Sequence, residues 1–168
     1  MTVDLGQVLL QAIDSGDLDL VLTLGGAQKK TAQLLSELPL HWIASPGFKA
    51  HAKQPLPLAL FNPPCGCQTP GLEALEKVGR SWRVAMTSPS LTGVWAAVSA
   101  GLGLTSRAEF GLPPNVQTIE LGLPPLGNIP ITLHRRRGLR APNAMRFAEI
   151  TEESVGTYLR SCREQTLI

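Results

Sequence analysis

Short apolar segments of two different periods take turns along this chain, and most end on glycine or proline. That alternation constrains the fold more than any single residue, because a strand-period segment must find strand neighbours and a helix-period segment must cover them. Residues 4–15 place Leu5, Val8, Leu9, Ala12 and Ile13 at helical spacing. Asp4 and Gln7 read there as a capping box, and Gly16 as a left-handed stop. DLDLVLTLGG then alternates Leu18, Leu20, Leu22 and Leu24 as a strand and ends on the pair Gly25–Gly26. LHWIAS and LPLALF predict two more strands, the second apolar on both faces and therefore internal to a sheet.

Pro70 opens a short helix carrying Leu72, Leu75 and Val78, with Gly79 past its end, and WRVAMTS follows as a strand. SPSLTGVWAAVSAGLGLTSR, residues 88–107, is a turn, a helix and a strand in succession. Its helix turns Val94, Trp95, Ala97 and Val98 toward the core and stops on Gly101. LGLTS, VQTIEL and IPITLHR predict short strands. A last helix from near Pro142 sets Met145, Phe147, Ile150, Val155, Tyr158, Leu159 and Cys162 mostly on one side. Interleaved strands and helices make the class α/β with largely parallel sheets; an α+β domain with segregated antiparallel strands is the alternative.

Composition narrows the function. Of 168 residues 43% are apolar and 17% charged, which describes a folded chain able to bury a core. A net charge of +2 does not argue for a nucleic-acid surface. The start MTVDLGQ has neither the basic segment nor the apolar run of an export signal, and no stretch reaches the roughly 20 apolar residues that span a bilayer. Three cysteines, an odd count, suit a reducing compartment, so the expected location is the cytoplasm, with no membrane partner.

Three stretches carry candidate chemistry. At residues 88–92 a helix start combines unsatisfied N–H groups and partial positive charge with the hydroxyls of Ser88, Ser90 and Thr92, which suits a carboxylate or another polar group. Ser88 or Ser90 can equally serve as a plain helix cap. NPPCGCQTPG, residues 62–71, joins the end of a strand to a helix start, where α/β sheets bind ligands. Its Cys65 and Cys67 read as small pocket-lining or buried thiols, with redox sensing and metal binding as alternatives. Zinc would need further ligands at a spacing not found around Cys162, His41, His51 and His134, so neither metal nor cofactor is expected. An enzyme using Cys65 or Cys67 as nucleophile lacks an activating histidine. HRRRGLR, residues 134–140, reads as a solvated loop before it reads as a phosphate contact. Trp42, Trp82 and Trp95 read mainly as core residues.

The succession LLQAIDSGDLDLVLTL, LPLHWIAS, PLPLALF, PC, AVSAGLGLTSR, PITLHRRR and PNAMRFAEI resembles the effector-binding domain of LysR-type transcriptional regulators over nearly the whole chain. SGDLDLVL and AAVSAGLGLTSR are the most specific parts of the match. The resemblance implies a two-lobed, type 2 periplasmic-binding-protein-like fold with a ligand cleft between the lobes. Residues 1–25 and 130–168 would form lobe I, lacking its first strand and helix, and residues 26–129 lobe II. It implies a small-molecule effector touching Ser88, Ser90, Leu91, Thr92, Gly66, Cys67, Thr23, Leu24 and Gln7, with Gly25–Gly26 suited to a hinge. It further implies a homodimer, a tetramer in the full-length protein, and DNA contact only through an N-terminal winged helix-turn-helix that this sequence does not contain. A transport-type solute-binding protein of the same fold is the alternative function.

Overall fold

The computed structural model describes residues 2–25, 32–51, 53–63, 65–109 and 111–165, the last six as helix backbone. In chain order the elements are α1 (Gly6–Ser15), β1 (Leu20–Leu24), β2 (Ala32–Ala44), β3 (Leu56–Phe61), α2 (Thr69–Lys77), β4 (Trp82–Ser88), α3 (Leu91–Ser99), β5 (Thr105–Ala108), β6 (Gln117–Ile119), β7 (Asn128–Arg135) and α4 (Pro142–Gln165). They fall into two compact units, Met1–Glu37 with Pro130–Ile168, and Leu38–Ile129. Both β2 and β7 continue from one unit into the other.

In the first unit β1 runs antiparallel to β7, with Leu20 opposite Arg135 and Leu24 opposite Ile131. The buried side of β1 is Val21 and Thr23, whereas Leu22 is 45% exposed. Ile13 of α1, Ile131 and Leu133 of β7, and Ala148 and Leu159 of α4 are the buried apolar residues around them. The capping box does not form. The Asp4 carboxylate accepts the N–H of Leu5 at 2.7 Å, and Leu5, not Asp4, is the residue that precedes the helix. Gly16 ends α1 in the left-handed conformation, at φ 90°, which favours glycine because it carries no Cβ. The apolar series expected along α4 splits. Leu159 is buried and Val155 half-buried, while Met145, Phe147, Ile150 and Tyr158 stay exposed and Ala148 takes the inward position. The inward stripe runs through residues 144, 148, 151, 155 and 159 at helical spacing, and the larger side chains lie off it. The Cys162 side chain lies outside the described residues.

Two arginines of the run are held in ion pairs. Arg135 pairs with Glu152, and the Arg136 guanidinium donates to one Asp19 oxygen from Nε at 3.0 Å and from a terminal nitrogen at 2.8 Å.

The second unit is built around β3, buried on both faces as its uninterrupted apolar run predicts. Leu56, Leu58 and Leu60 join Trp42, Ala44, Leu75 and Leu104 in one core. Ala59 joins Ile43, Val94, Ala97, Val98 and Val116 in another. Leu75 comes from α2, and Val94, Ala97 and Val98 from α3, so the two helices serve different cores. On one edge β3 pairs in parallel with β4. On its other edge Ala59 N–H donates to the Leu104 carbonyl at 2.9 Å, and Leu104 N–H to the Pro57 carbonyl at 3.0 Å. Trp42 keeps its indole N–H satisfied through the Pro124 carbonyl at 2.9 Å.

The expectation of largely parallel sheets is corrected. β1–β7, β2–β5 and β2–β6 are antiparallel, and β3–β4 is the parallel ladder. A parallel pair needs a crossover helix. Such a helix stands between β3 and β4 and again between β4 and β5, but none separates β5, β6 and β7.

Candidate functional site

The carboxyl ends of β3 and β4 lie side by side: Phe61 is the register partner of Ser88, and Asn62 N–H donates to the Ser88 carbonyl at 2.8 Å. Each strand hands over to a helix at this end, β3 to α2 and β4 to α3. The ends of parallel strands, with helix N-termini beside them, are where an α/β sheet offers unsatisfied N–H groups to a ligand. The sequence-predicted residues of the second unit gather here.

At the start of α3 two of the three hydroxyls are already engaged. Ser90 is the cap, its Oγ accepting the Gly93 N–H at 3.2 Å. Ser88 is 6% exposed, and its Oγ accepts the Ser90 N–H at 3.1 Å. Packing of Ser88 under the helix explains the glycine in the first turn, since a Cβ on Gly93 would lie 2.2 Å from Ser88 Oγ. Leu91 and Thr92 face outward. The turn thus presents Thr92, Leu91 and backbone to the outside, held in place by two serines.

At the start of α2 the turn is fastened to β3 by Gln68. Its carboxamide oxygen accepts the Phe61 N–H at 3.0 Å, and its amide nitrogen donates to the Phe61 carbonyl at 2.9 Å, replacing a neighbouring strand. Ser106 Oγ donates to the Cys67 carbonyl at 2.9 Å. Cys67 is 2% exposed, and Cys65 and Gly66 are half-buried. The two thiols are reduced and interact. The Cys67 side chain, the Arg107 charge and the backbone N–H groups of Cys67 and Gln68 together pull the Cys65 thiol from its ordinary 9.0 to about 6, against the opposing effect of burial. The same interaction and burial push the Cys67 thiol up. Arg107, from β5, stacks over Phe61 with its guanidinium carbon 5.6 Å from the ring centre, and its Nε is buried without a hydrogen-bond partner. Among the described residues no group of three or more histidine, cysteine or acidic side chains is arranged to hold a metal.

Gln7, Thr23 and Leu24 belong to the first unit. Gln7 is exposed in the first turn of α1. Thr23 is 7% exposed, its Oγ1 lying 3.1 Å from His134 Nε2 in the neighbouring strand. Leu24 is half-buried at the end of β1. Gly25 donates its N–H to the Pro130 carbonyl at 2.8 Å, whereas the other half of the expected hinge, Gly26, lies outside the described residues.

Residues 1–155 match the family model described as the LysR substrate binding domain. The chain belongs to that family. The HTH-type transcriptional regulator DgdR of Burkholderia cepacia is 29% identical over 143 residues, 84% of this chain and 49% of its own. The HTH-type transcriptional regulator PecT of Dickeya dadantii (strain 3937) is 28% identical over 116 residues, 68% of this chain and 37% of its own. The chain therefore spans less than half the length of these curated relatives. The bromide-bound regulatory domain of HypT from Salmonella typhimurium superimposes with a TM-score of 0.70 at 14% identity, covering 93% of this chain and 80% of that one. The fold is accordingly that of LysR regulatory domains, α/β and two-lobed in the manner of periplasmic binding proteins.

Two residues that hold this end of β3 and β4 together were missed from sequence. Gln68 carries no pattern signal, because its role depends on the backbone of β3 folding back beside it. Arg107 stands in the strand after AAVSAGLGLTS, and only the β-period count from Leu104 could have set its side chain on the opposite face from Ser106.

Proposed function

We propose that this domain binds a small effector molecule at the shared end of β3 and β4, in the regulatory part of a LysR-type transcription regulator. The observation that carries the reading is the convergence of two helix starts on the adjacent ends of two parallel strands, with Thr92 and Leu91 outward and the serines braced behind them. Leu91, Thr92, Gly66 and Cys67 are the contacts assigned from the second unit, with Ser88 and Ser90 contributing mainly by fixing the turn. The family resemblance adds Gln7, Thr23 and Leu24. No bond of the effector changes; the domain is a sensor and not an enzyme. An effector that prefers one state of the domain about a hundredfold supplies about 2.7 kcal/mol, enough to move a balanced equilibrium.

Self-association is part of the same proposal, as a homodimer and as a tetramer of the whole regulator. It is supported by Phe147 (58% exposed), Met145, Ile150 and Leu22, apolar residues that the first unit leaves outside. DNA contact belongs to the helix-turn-helix for which the longer relatives are named. The lobe assignment, residues 1–25 with 130–168 against 26–129, stays within this proposal, as does a cytoplasmic location; among the described residues no helix is long and apolar enough to cross a membrane.

A thermal-shift screen of small metabolites tests the reading. A binding metabolite raises the melting temperature of the native chain. Thr92→Ala, at an exposed position, leaves the unliganded melting temperature within about the effect of an ordinary surface change, about 0.5 kcal/mol, and blunts the shift. Chemical turnover of the ligand, or an undiminished shift in Thr92→Ala, overturns it.

A further inference from the structure

Positive charge is concentrated in one part of the second unit. Residues 46–57 and 77–83 carry Lys49, Lys53, Lys77, Arg80 and Arg83 and no acidic residue, in a chain whose net charge is only +2. The fold brings the two segments together at the amino ends of β3 and β4, where Leu56 is the register partner of Trp82 and Pro57 of Arg83. A cavity of about 200 Å³ opens there, with Lys49, His51, Arg80 and Arg83 in its lining and no carboxylate. Its frame is tied down. The Arg80 guanidinium donates to the His51 carbonyl at 2.7 Å, the Gln54 N–H donates to the same carbonyl at 3.2 Å, and the Leu56 N–H donates to the Ser81 carbonyl at 2.9 Å. Pro55 and Pro57, also in the lining, lock their own backbone dihedrals. Elsewhere the chain gives its arginines acidic partners, as in Arg135–Glu152, Arg136–Asp19 and Arg146–Glu149. Among the described residues Lys49 and Arg83 have none. Like charges gathered around one hollow repel, and a bound anion turns that cost into attraction.

We propose that the cavity at the amino ends of β3 and β4 is an anion site for a small phosphorylated ligand, a free pyrophosphate or the phosphate end of a metabolite. The class of ligand follows from the lining. Two guanidiniums offer planar forks of N–H donors that match phosphate oxygens, and the Lys49 ammonium adds a point charge on a flexible stem. A monocarboxylate would leave most of that positive charge unanswered, whereas a phosphate monoester brings a charge of about −1.5 to −2 at pH 7 and three acceptor oxygens. The volume lies below the roughly 300–1,000 Å³ of pockets for drug-sized molecules, which suits a phosphate group with little attached. This end of the strands is remote from the proposed effector contacts. At about 3.3 Å of rise per residue, Leu56 and Phe61 at the two ends of β3 are separated by about 16 Å. The site is independent of the effector reading and holds whether or not a metabolite binds at the far end.

The test is isothermal titration calorimetry of the full chain with inorganic pyrophosphate as the probe, at low ionic strength, with circular dichroism as the check on folding. Binding saturates at one pyrophosphate per chain. Arg83→Gln weakens it about tenfold or more, as the loss of a charge-assisted contact requires, and adding Lys49→Gln weakens it further; both residues are exposed, so the fold survives. Arg83→Lys, which keeps the charge and loses the fork, recovers part of the loss. The control is Arg137→Gln with Arg140→Gln, exposed positions in the first unit, which removes the same two charges from the chain and leaves the affinity within about twofold. Thr92→Ala binds pyrophosphate as the native chain does, so failure of the effector reading and failure of this one are read separately. Acetate at the same concentration does not displace the probe, and neither does a short DNA duplex. Absence of saturable binding, an equal loss in the two double variants, or displacement by the duplex, which would assign the cations to a nucleic-acid backbone, overturns the proposal.

Discussion

Gly93→Ala probes the construction of the α3 start directly. The backbone at Gly93 is ordinary helix, so the substitution carries no conformational strain of its own and replaces a poor helix former with the best one. Sterics act the other way: the new methyl would fall 2.2 Å from Ser88 Oγ and 2.9 Å from Ser88 Cβ. Rotating the Ser88 hydroxyl aside removes the first contact but gives up its bond to the Ser90 N–H, about 1 kcal/mol, and leaves the second. Two contacts inside 3.0 Å put the overpacking cost in the upper part of its usual range, about 2–3 kcal/mol, and helix propensity returns about 1 kcal/mol, so the net loss is about 1–2 kcal/mol. With a urea slope near 2 kcal/mol per molar, the midpoint falls by about 0.5–1 M. Ser88→Gly in the same background removes both contacts and recovers most of the loss beyond its own cost, a coupling of about 1 kcal/mol or more, whereas Ser88→Ala recovers less. Gly93→Ala as stable as the parent chain, or a cost unchanged beside Ser88→Gly, would refute the packing account.

Gln68→Ala strips the Phe61 N–H and carbonyl of their partners at a buried position, and urea unfolding is expected to show a loss of about 2–4 kcal/mol; a loss below about 0.5 kcal/mol would mean that the clamp is dispensable. The thiol pair makes stability depend on pH. The Cys65 thiol, lowered to about 6, is deprotonated in the folded chain while its unfolded counterpart still holds a proton, so its contribution grows from about pH 6 to the ordinary 9.0. Cys67, shifted upward, keeps its proton folded and loses it unfolded above that value, so its contribution fades as pH rises further. The difference in unfolding free energy between the native chain and Cys65→Ser should therefore widen from pH 6 to 9; a flat difference would contradict the assignment.

Much of the fold was legible because periodicity and punctuation agree at each element. The two-faced run LPLALF is a strand buried on both sides, and PSLTGVW is a capped helix because Ser90 sits where an extended residue must accept a first-turn N–H. The failures share a cause. Asp4 has the right spacing to Gln7 for a capping box, but its carboxylate is satisfied by the next N–H along the chain. Strand direction is not written in a strand's own residues, so β1–β7 and β2–β5 turned out antiparallel where interleaving suggested otherwise. Along α4 the side chains that carry most apolar area lie beside the buried stripe, and a spacing count cannot tell which flank meets the core. At the candidate site the hydroxyls and thiols stand out by residue type, whereas Gln68 and Arg107 matter only through the backbone and ring that tertiary structure brings to them.

Amide chemical shifts of the isotope-labelled chain during titration with a metabolite that stabilises it measure effector recognition most directly. The largest saturable changes should fall on Leu91, Thr92, Gly93, Gly66 and Cys67, with the ligand recovered unchanged. Saturable binding that leaves those amides still and moves others, or a ligand returned with a bond altered, would contradict a sensor reading its effector at the joined ends of β3 and β4.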